Sequence, residues 1–232
     1  MDREGILANI EYWRQRIGEA SAKWGGAEIC GVSKTVDAET VNMAWDGGIR
    51  ILGENRVQEL VAKQDLLNPG FEIHLIGRLQ TNKVKPAVER AAMIQSLDRE
   101  ALALEISRRA EAAGKVMPVL VQVNLAHEEQ KGGVDEEQLV PFLRQCAALP
   151  GLSVQGLMAI MPVADDPEDV RPLFRQMRQW FDRLRDMDIP GTEMKILSMG
   201  MSDDCVVAAE EGATMVRLGR ALFGARTYPA KA

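Results

Sequence analysis

Eight short runs of β-branched and apolar residues recur along 232 residues, and a longer stretch of helical periodicity separates each from the next. The runs are Glu28 to Ser33, Ile49 to Gly53, Phe71 to Ile76, Met93 to Leu97, Met117 to Asn124, Val154 to Ile160, Met194 to Ser198 and Met215 to Leu218. Helical spacing fills the gaps at Ala38 to Asp46, Arg56 to Leu67, Asn82 to Ala91, Arg99 to Ala113, Glu136 to Leu149, Pro167 to Met187 and Asp203 to Glu211. Strands that alternate with helices in this way build parallel sheets from repeated βα units. Ahead of them Ile6, Leu7, Ile10, Trp13, Arg14 and Ile17 set an amphipathic helix over residues 5–22.

Eight strands with seven crossovers predict an α/β chain folded as a single-domain (β/α)8 TIM barrel over residues 1–232, with an N-terminal helix. No Gly/Ser- or Pro-rich linker breaks the rhythm. A doubly wound sheet would want a glycine fingerprint after the first strand, and Gly31-Val32-Ser33-Lys34-Thr35 is neither GxGxxG nor a P-loop. Longer stretches follow the fifth and sixth strands, Leu125 to Asp135 and Met161 to Asp166, and are candidate rim loops on the face where barrels place their chemistry.

A net charge of −6 argues against a nucleic-acid or anionic-membrane surface, so any anion site must be local. Cys30, Cys146 and Cys205 lie far apart without CxxC spacing, which predicts neither a disulfide framework nor a zinc site and suits a reducing cytoplasm. The acidic, amphipathic N-terminus and the lack of a run near the roughly 20 apolar residues of a spanning helix argue against secretion and membrane insertion. Nothing in the sequence demands a second subunit, so a monomer is expected.

On the barrel reading, Lys34 ends the first strand and delivers an amine to the barrel mouth. Glu54 and Asn55 follow the second strand, and Gly77 to Gln80 the third. The segments Ile196 to Asp204 and Met215 to Arg220 each run from a strand into a glycine-bearing turn, the recurring phosphate site of this architecture. Ser198, Gly200, Met201, Gly219 and Arg220 supply that cradle. An amine opposite a phosphate site suggests a phosphorylated aldehyde held as a Schiff base. Pyridoxal 5'-phosphate (PLP) satisfies this, with Arg217 facing its ring nitrogen, and so does a sugar phosphate in a lysine-dependent aldolase.

Other polar groups have plainer readings. Arg78, Lys83 and Lys85 read as a solvated helix face, His74 as a satisfied core histidine, and Ser202-Asp203-Asp204 as an N-cap with acidic first-turn residues. His127-Glu128-Glu129 lacks the spacing that puts two ligands on one helix face, so no metal is expected. Cys205 reads as a packed thiol.

These residues resemble the pyridoxal phosphate homeostasis protein family, related to the alanine racemase N-terminal domain, from about Ile29 to Arg226. The motifs are Val32 to Thr35, Gly53 to Glu59, His74 to Lys83, Gly156 to Met158, Leu197 to Asp203 and Val216 to Gly219. The resemblance implies a barrel like that domain, with Lys34 as the aldimine lysine and Arg217 facing the pyridine nitrogen. It implies that Ser198, Gly219 and Arg220 hold the phosphate and that Asn55 lines the site near ring and imine. Arg220 stands where such proteins often carry threonine, so donation there is expected from the backbone.

An arginine opposite the ring nitrogen weakens the electron sink that carbanion chemistry uses. Racemases of this fold bring a second acid/base from an additional β domain that this sequence lacks, and its tyrosines are Tyr12 and Tyr228 alone. The expectation is a cytoplasmic PLP-binding protein that buffers or delivers the cofactor, with apo PLP-dependent enzymes as candidate recipients and effects on amino-acid and keto-acid balance. It is not expected to be an enzyme. The alternatives are a PLP-dependent enzyme such as a weak amino-acid racemase, and the aldolase.

Overall fold

Each of the eight apolar runs is a strand. The computed structural model describes residues 1–126 and 132–224, so His127 to Glu129, part of the first rim stretch, and Tyr228 lie outside the described residues. The strands are β1 (Glu28–Val32), β2 (Ile51–Glu54), β3 (Glu72–Leu75), β4 (Met93–Leu97), β5 (Met117–Val123), β6 (Leu152–Ala159), β7 (Thr192–Ser198) and β8 (Met215–Leu218). Each pairs in parallel with the next, and β8 returns to β1, closing the barrel. Closure explains why strands such as β4 and β8 are buried along their whole length: helices cover one face and the barrel interior the other.

The helices are α1 (Arg3–Ser21), α2 (Ala38–Asp46), α3 (Val57–Lys63), α4 (Val84–Arg90), α5 (Glu100–Ala112), α6 (Glu136–Ala147), α7 (Arg171–Asp186), α8 (Cys205–Glu210) and α9 (Arg220–Phe223). Asp2 caps α1 by accepting the Gly5 N–H at 3.0 Å. Ile6, Ile10 and Ile17 then share one face, fully buried where α1 packs on α2, α8 and α9. Burying an isoleucine contributes about 1.5–3 kcal/mol, so that stripe anchors the first helix to the closing end of the barrel.

The main apolar core lies between strands and helices, with Leu52, Ile94, Ile106 and Phe174 wholly buried. A second cluster, Met93, Leu120 and Met158, contains strand residues alone and fills the inside of the ring. Gly156 lets β6 and β7 approach each other: its φ is +146°, and a Cβ there would lie 1.9 Å from the Ile196 carbonyl oxygen.

Most boundaries differ from the sequence reading by a residue or two, and four of the differences have a structural meaning. The helix expected over 56–67 ends at Lys63 and continues as a 3-10 turn, Gln64–Leu66. The one expected over 167–187 likewise opens with a 3-10 turn, Pro167–Val170. Glu54 is the last residue of β2 rather than part of a loop. α8 begins at Cys205, not Asp203, because the Asp204 carboxylate turns back to the Met201 N–H instead of capping the helix.

Candidate functional site

Parallel strands share one C-terminal end, and that end gathers every candidate residue. Lys34 follows β1, Asn55 follows β2, Ser198 ends β7, Gly200 and Met201 lie in the β7–α8 turn, and Arg217 sits on β8. Gly219 precedes α9 and Arg220 opens it. The pairing Cys30↔Arg217 fixes their relative height. Lys34 lies four residues beyond Cys30 and past the end of β1, so it stands above the level of the Cys30–Arg217 pair. Ser33 still pairs with β2, its N–H donating to the Gly53 carbonyl at 3.1 Å, and half-buried Lys34 enters the turn that follows, closed by the Val36 N–H on the Ser33 carbonyl at 3.0 Å.

Arg217 is buried, and its guanidinium is held from two sides. Nη1 donates to the Ser198 hydroxyl at 2.7 Å and Nη2 to the Ala159 carbonyl at 2.7 Å. Burial lowers its pKa, while Cys30 and Asp204 nearby oppose that; an arginine so placed stays a cation at neutral pH. A guanidinium has five N–H donors, and these two bonds leave others for a ligand.

The Ser198 hydroxyl in turn donates to Gln95 Oε1 at 2.7 Å, and Gln95 Nε2 lies 2.9 Å from His74 Nδ1. The amide nitrogen can only donate, which assigns Nδ1 as acceptor and leaves the ring neutral with its proton on Nε2. Burial pushes the His74 pKa down to about 4. His74 is therefore a satisfied core histidine, as read from the sequence, at the far end of a polar chain that starts at Arg217. Ser198, expected at the phosphate, spends its hydroxyl inside this chain.

The turn after β7 is preformed. Gly200 has φ +91°, and a Cβ there would lie 2.5 Å from the Ala208 Cβ, so the backbone runs hard against α8. The Met201 N–H donates to Asp204 Oδ1 at 2.5 Å, and the Arg220 guanidinium pairs with Asp203. Burial raises the Asp204 pKa, opposed by the Met201 N–H and by Arg217. Two expected phosphate donors thus each face a carboxylate of one short turn. The acidic pair holds the turn, though not as a helix cap.

Asn55 is half-buried at the edge of a cleft of about 530 Å³ that Arg56, Arg78 and Lys83 also line. Arg78 is exposed, but Lys83 is drawn into this wall rather than left on a solvated helix face. Asn55 is placed by Gly77, where a Cβ would lie 2.2 Å from the Asn55 carbonyl oxygen. Cys30, Cys146 and Cys205 are all buried and free, and burial pushes each thiol up to about 12. Cys205 is a packed thiol despite its place at a helix start. Among the described residues no cluster of His, Cys, Asp or Glu could hold a metal ion, and no helix is long and apolar enough to cross a membrane.

Comparison with known proteins agrees with this geometry. The profile of the alanine racemase N-terminal domain family matches residues 1–227. The chain belongs to this family. Within it, a pyridoxal phosphate homeostasis protein of Aquifex aeolicus is 46% identical over 220 residues, covering 92% of this chain and 95% of that one. One from Escherichia coli K12 is 36% identical and covers 97% and 99%. Among solved structures, PipY of Synechococcus elongatus PCC7942 with PLP bound superposes with a TM-score of 0.84 at 35% identity, covering 94% of this chain and all of that one. At this likeness the chain belongs to the pyridoxal phosphate homeostasis protein family, which the motifs around Lys34 and Arg217 had suggested.

Two features of the site escape sequence reasoning, and Glu54, read after the second strand, proves buried. Gln95, which joins Ser198 to His74, stands beside Ser96 as a polar break in an apolar run, and that irregularity was its only signal. Lys63 and Glu59 on α3 reach back to the Lys34 turn and sit in a helix that reads as ordinary. Glu54, buried at the end of β2, leaves carboxylate Oε2 without a hydrogen-bond partner. Burial raises its pKa, while Lys63 and Ser33 oppose the rise.

Proposed function

We propose that this chain binds PLP in the barrel mouth and serves in PLP homeostasis, holding and releasing the cofactor rather than turning over amino acids. The observation that carries the reading is the buried Arg217 guanidinium, fixed by Ser198 and Ala159 on the strand that pairs with the one Lys34 follows. The donor set fits the group: a primary amine, a buried cation with N–H groups to spare, and two glycine-bearing turns.

PLP, when bound, supplies an aldehyde that condenses with a primary amine and a pyridine ring that withdraws electrons. Lys34 is the amine placed to take the aldehyde. Arg217 faces the ring nitrogen and, as a cation, disfavours its protonation, which blunts the ring as an electron sink. Asn55 lines the side of the site. Gly200, Gly219 and Arg220 receive the phosphate, chiefly through backbone N–H groups, Met201 shapes the turn with its own N–H held by Asp204, and Ser198 contributes by orienting Arg217. A PLP-bound relative at 35% identity supports this reading.

A buffering role follows from what the mouth is given. Amino-acid turnover needs a second acid–base group opposite the lysine. Tyr12 lies on the exposed side of α1, where its hydroxyl accepts from Arg16 at 2.8 Å. We take residues 1–232 as one PLP-binding barrel domain with an N-terminal helix. It works as a monomer in the cytoplasm and passes PLP to apo PLP-dependent enzymes, with effects on amino-acid and keto-acid balance.

The test is visible absorbance of purified protein with added PLP, followed by borohydride reduction and peptide mapping. A yellow band that bleaches on reduction and leaves the adduct on Lys34 is expected, as is loss of both in Lys34→Ala. No band and no adduct would remove PLP and leave a sugar-phosphate aldolase to assay. Steady racemisation of a pure amino acid, abolished in Lys34→Ala, would replace buffering with catalysis.

A further inference from the structure

Lys34 is flanked by two residues that α3 holds. On one side, the Ser33 carbonyl accepts from Lys63 Nζ at 2.7 Å and from the Val36 N–H at 3.0 Å. The Ser33 hydroxyl donates to Glu54 Oε1 at 2.7 Å, and Lys63 Nζ donates to the same oxygen at 2.9 Å. On the other side, the Thr35 N–H donates to Glu59 Oε2 at 2.9 Å, and that oxygen lies 3.6 Å from Lys63 Nζ. One ammonium therefore joins the carboxylates that grip the chain before and after Lys34.

Two observations make this more than packing. Thr35 has φ +63°, a left-handed conformation that a β-branched residue adopts only where its surroundings impose it, and Glu59 holds the amide of that residue. The Glu54–Lys63 pair is nearly out of solvent, with side chains 1% and 14% exposed. A buried pair gives little net stability against apolar replacements and is better explained by position than by energy. Ser33 and Glu54 both bond Lys63 of α3, so the backbone that carries Lys34 is fixed at Ser33 as well as at Thr35.

We propose that Lys63, with Glu54 and Glu59, forms a positioning clamp that sets the Lys34 turn and so governs how readily the ε-amine takes and gives up its ligand. The proposal rests on Lys34 as the PLP-holding amine. None of the three clamp residues needs to touch PLP.

The experiment compares wild type with Glu59→Ala, Lys63→Met and Lys63→Arg. Cofactor-free protein is read by hydrogen exchange of the peptide spanning residues 33–36 and by the pH profile of Lys34 acetylation with acetic anhydride, mapped by mass. PLP-loaded protein is read by the rate at which hydroxylamine strips the cofactor. Loss of a hydrogen bond to a charged group predicts about tenfold faster exchange and stripping in Glu59→Ala and Lys63→Met, with a displaced acetylation profile. Lys63→Arg, which keeps the cation and its donors, should stay near wild type in all three. A wild-type acetylation profile and stripping rate in both Glu59→Ala and Lys63→Met would overturn the clamp. Should Lys63→Met fail to fold, Glu59→Ala decides alone, because Glu59 is partly exposed and its loss strands no buried charge. If wild type takes no PLP on Lys34, the proposed function falls, while exchange and acetylation still judge the clamp.

Discussion

Ser198 and Arg217 meet across β7 and β8, the guanidinium donating to the hydroxyl at 2.7 Å. The same hydroxyl donates onward to Gln95, whose amide reaches His74, so four strands share one buried polar chain. Each member takes its orientation from the next.

Gln95→Leu should expose that dependence. It deprives the Ser198 hydroxyl of its acceptor and His74 Nδ1 of its donor, both in a buried setting. Two stranded buried groups cost about 2–4 kcal/mol, to be read as a lowered urea midpoint at unchanged slope.

His74 gives the pH dependence a definite sign. Its pKa falls from the ordinary 6.5 of a histidine to about 4 in the fold, so between those values the unfolded chain binds more protons. Stability contributed by the neutral ring is therefore full near pH 7 and is lost as the pH drops through that window, by on the order of 3 kcal/mol. Denaturation from pH 7 to pH 4 should show this slope in wild type, with His74→Gln flatter. Parallel curves for the two proteins would contradict a buried neutral imidazole.

The Asp203–Arg220 pair makes a prediction about anions. It is exposed, so its removal should leave stability almost unchanged. Asp203→Ala frees Arg220 and removes a negative charge beside the turn, so PLP and inorganic phosphate should bind roughly two- to fivefold tighter at low salt, an effect that fades as salt screens it. Titration at two ionic strengths checks both halves.

Gly77→Ala should damage the site through the backbone. The added carbon would stand 2.2 Å from the Asn55 carbonyl oxygen, which cannot move aside as a side chain could. A loss of about 3 kcal/mol or more is expected, with weakened PLP binding if the protein folds. Thermal melting and PLP titration of the variant are the measurements.

Strands were the legible part of this chain because burial on both faces leaves uninterrupted apolar runs; β4 and β8 begin and end where the run does. Helix ends were less so, since they depend on contacts no periodicity records. Asp204 delays α8 by bonding Met201, and α9 is a single turn too short to show a pattern. Lys34, Asn55, Ser198 and Arg217 were legible as strand-end residues brought to one mouth by topology. What binds them there was not. Gln95 finds Ser198 across 103 residues of sequence, and Lys63 reaches Ser33 across 30. The hydrogen bonds of the Ser198 hydroxyl were hidden for the same reason, because its acceptor sits on a strand far away in sequence.

β1 and β8, the first and last strands, are hydrogen-bonded neighbours, with Cys30 opposite Arg217. Lys34 and Arg217 therefore stand on either side of the seam where the ring joins. A chain synthesised only as far as β7 carries Lys34, Asn55 and Ser198 but has no guanidinium across the gap. A ligand that bridged the two would staple the first strand to the last, and only a closed cylinder could hold it.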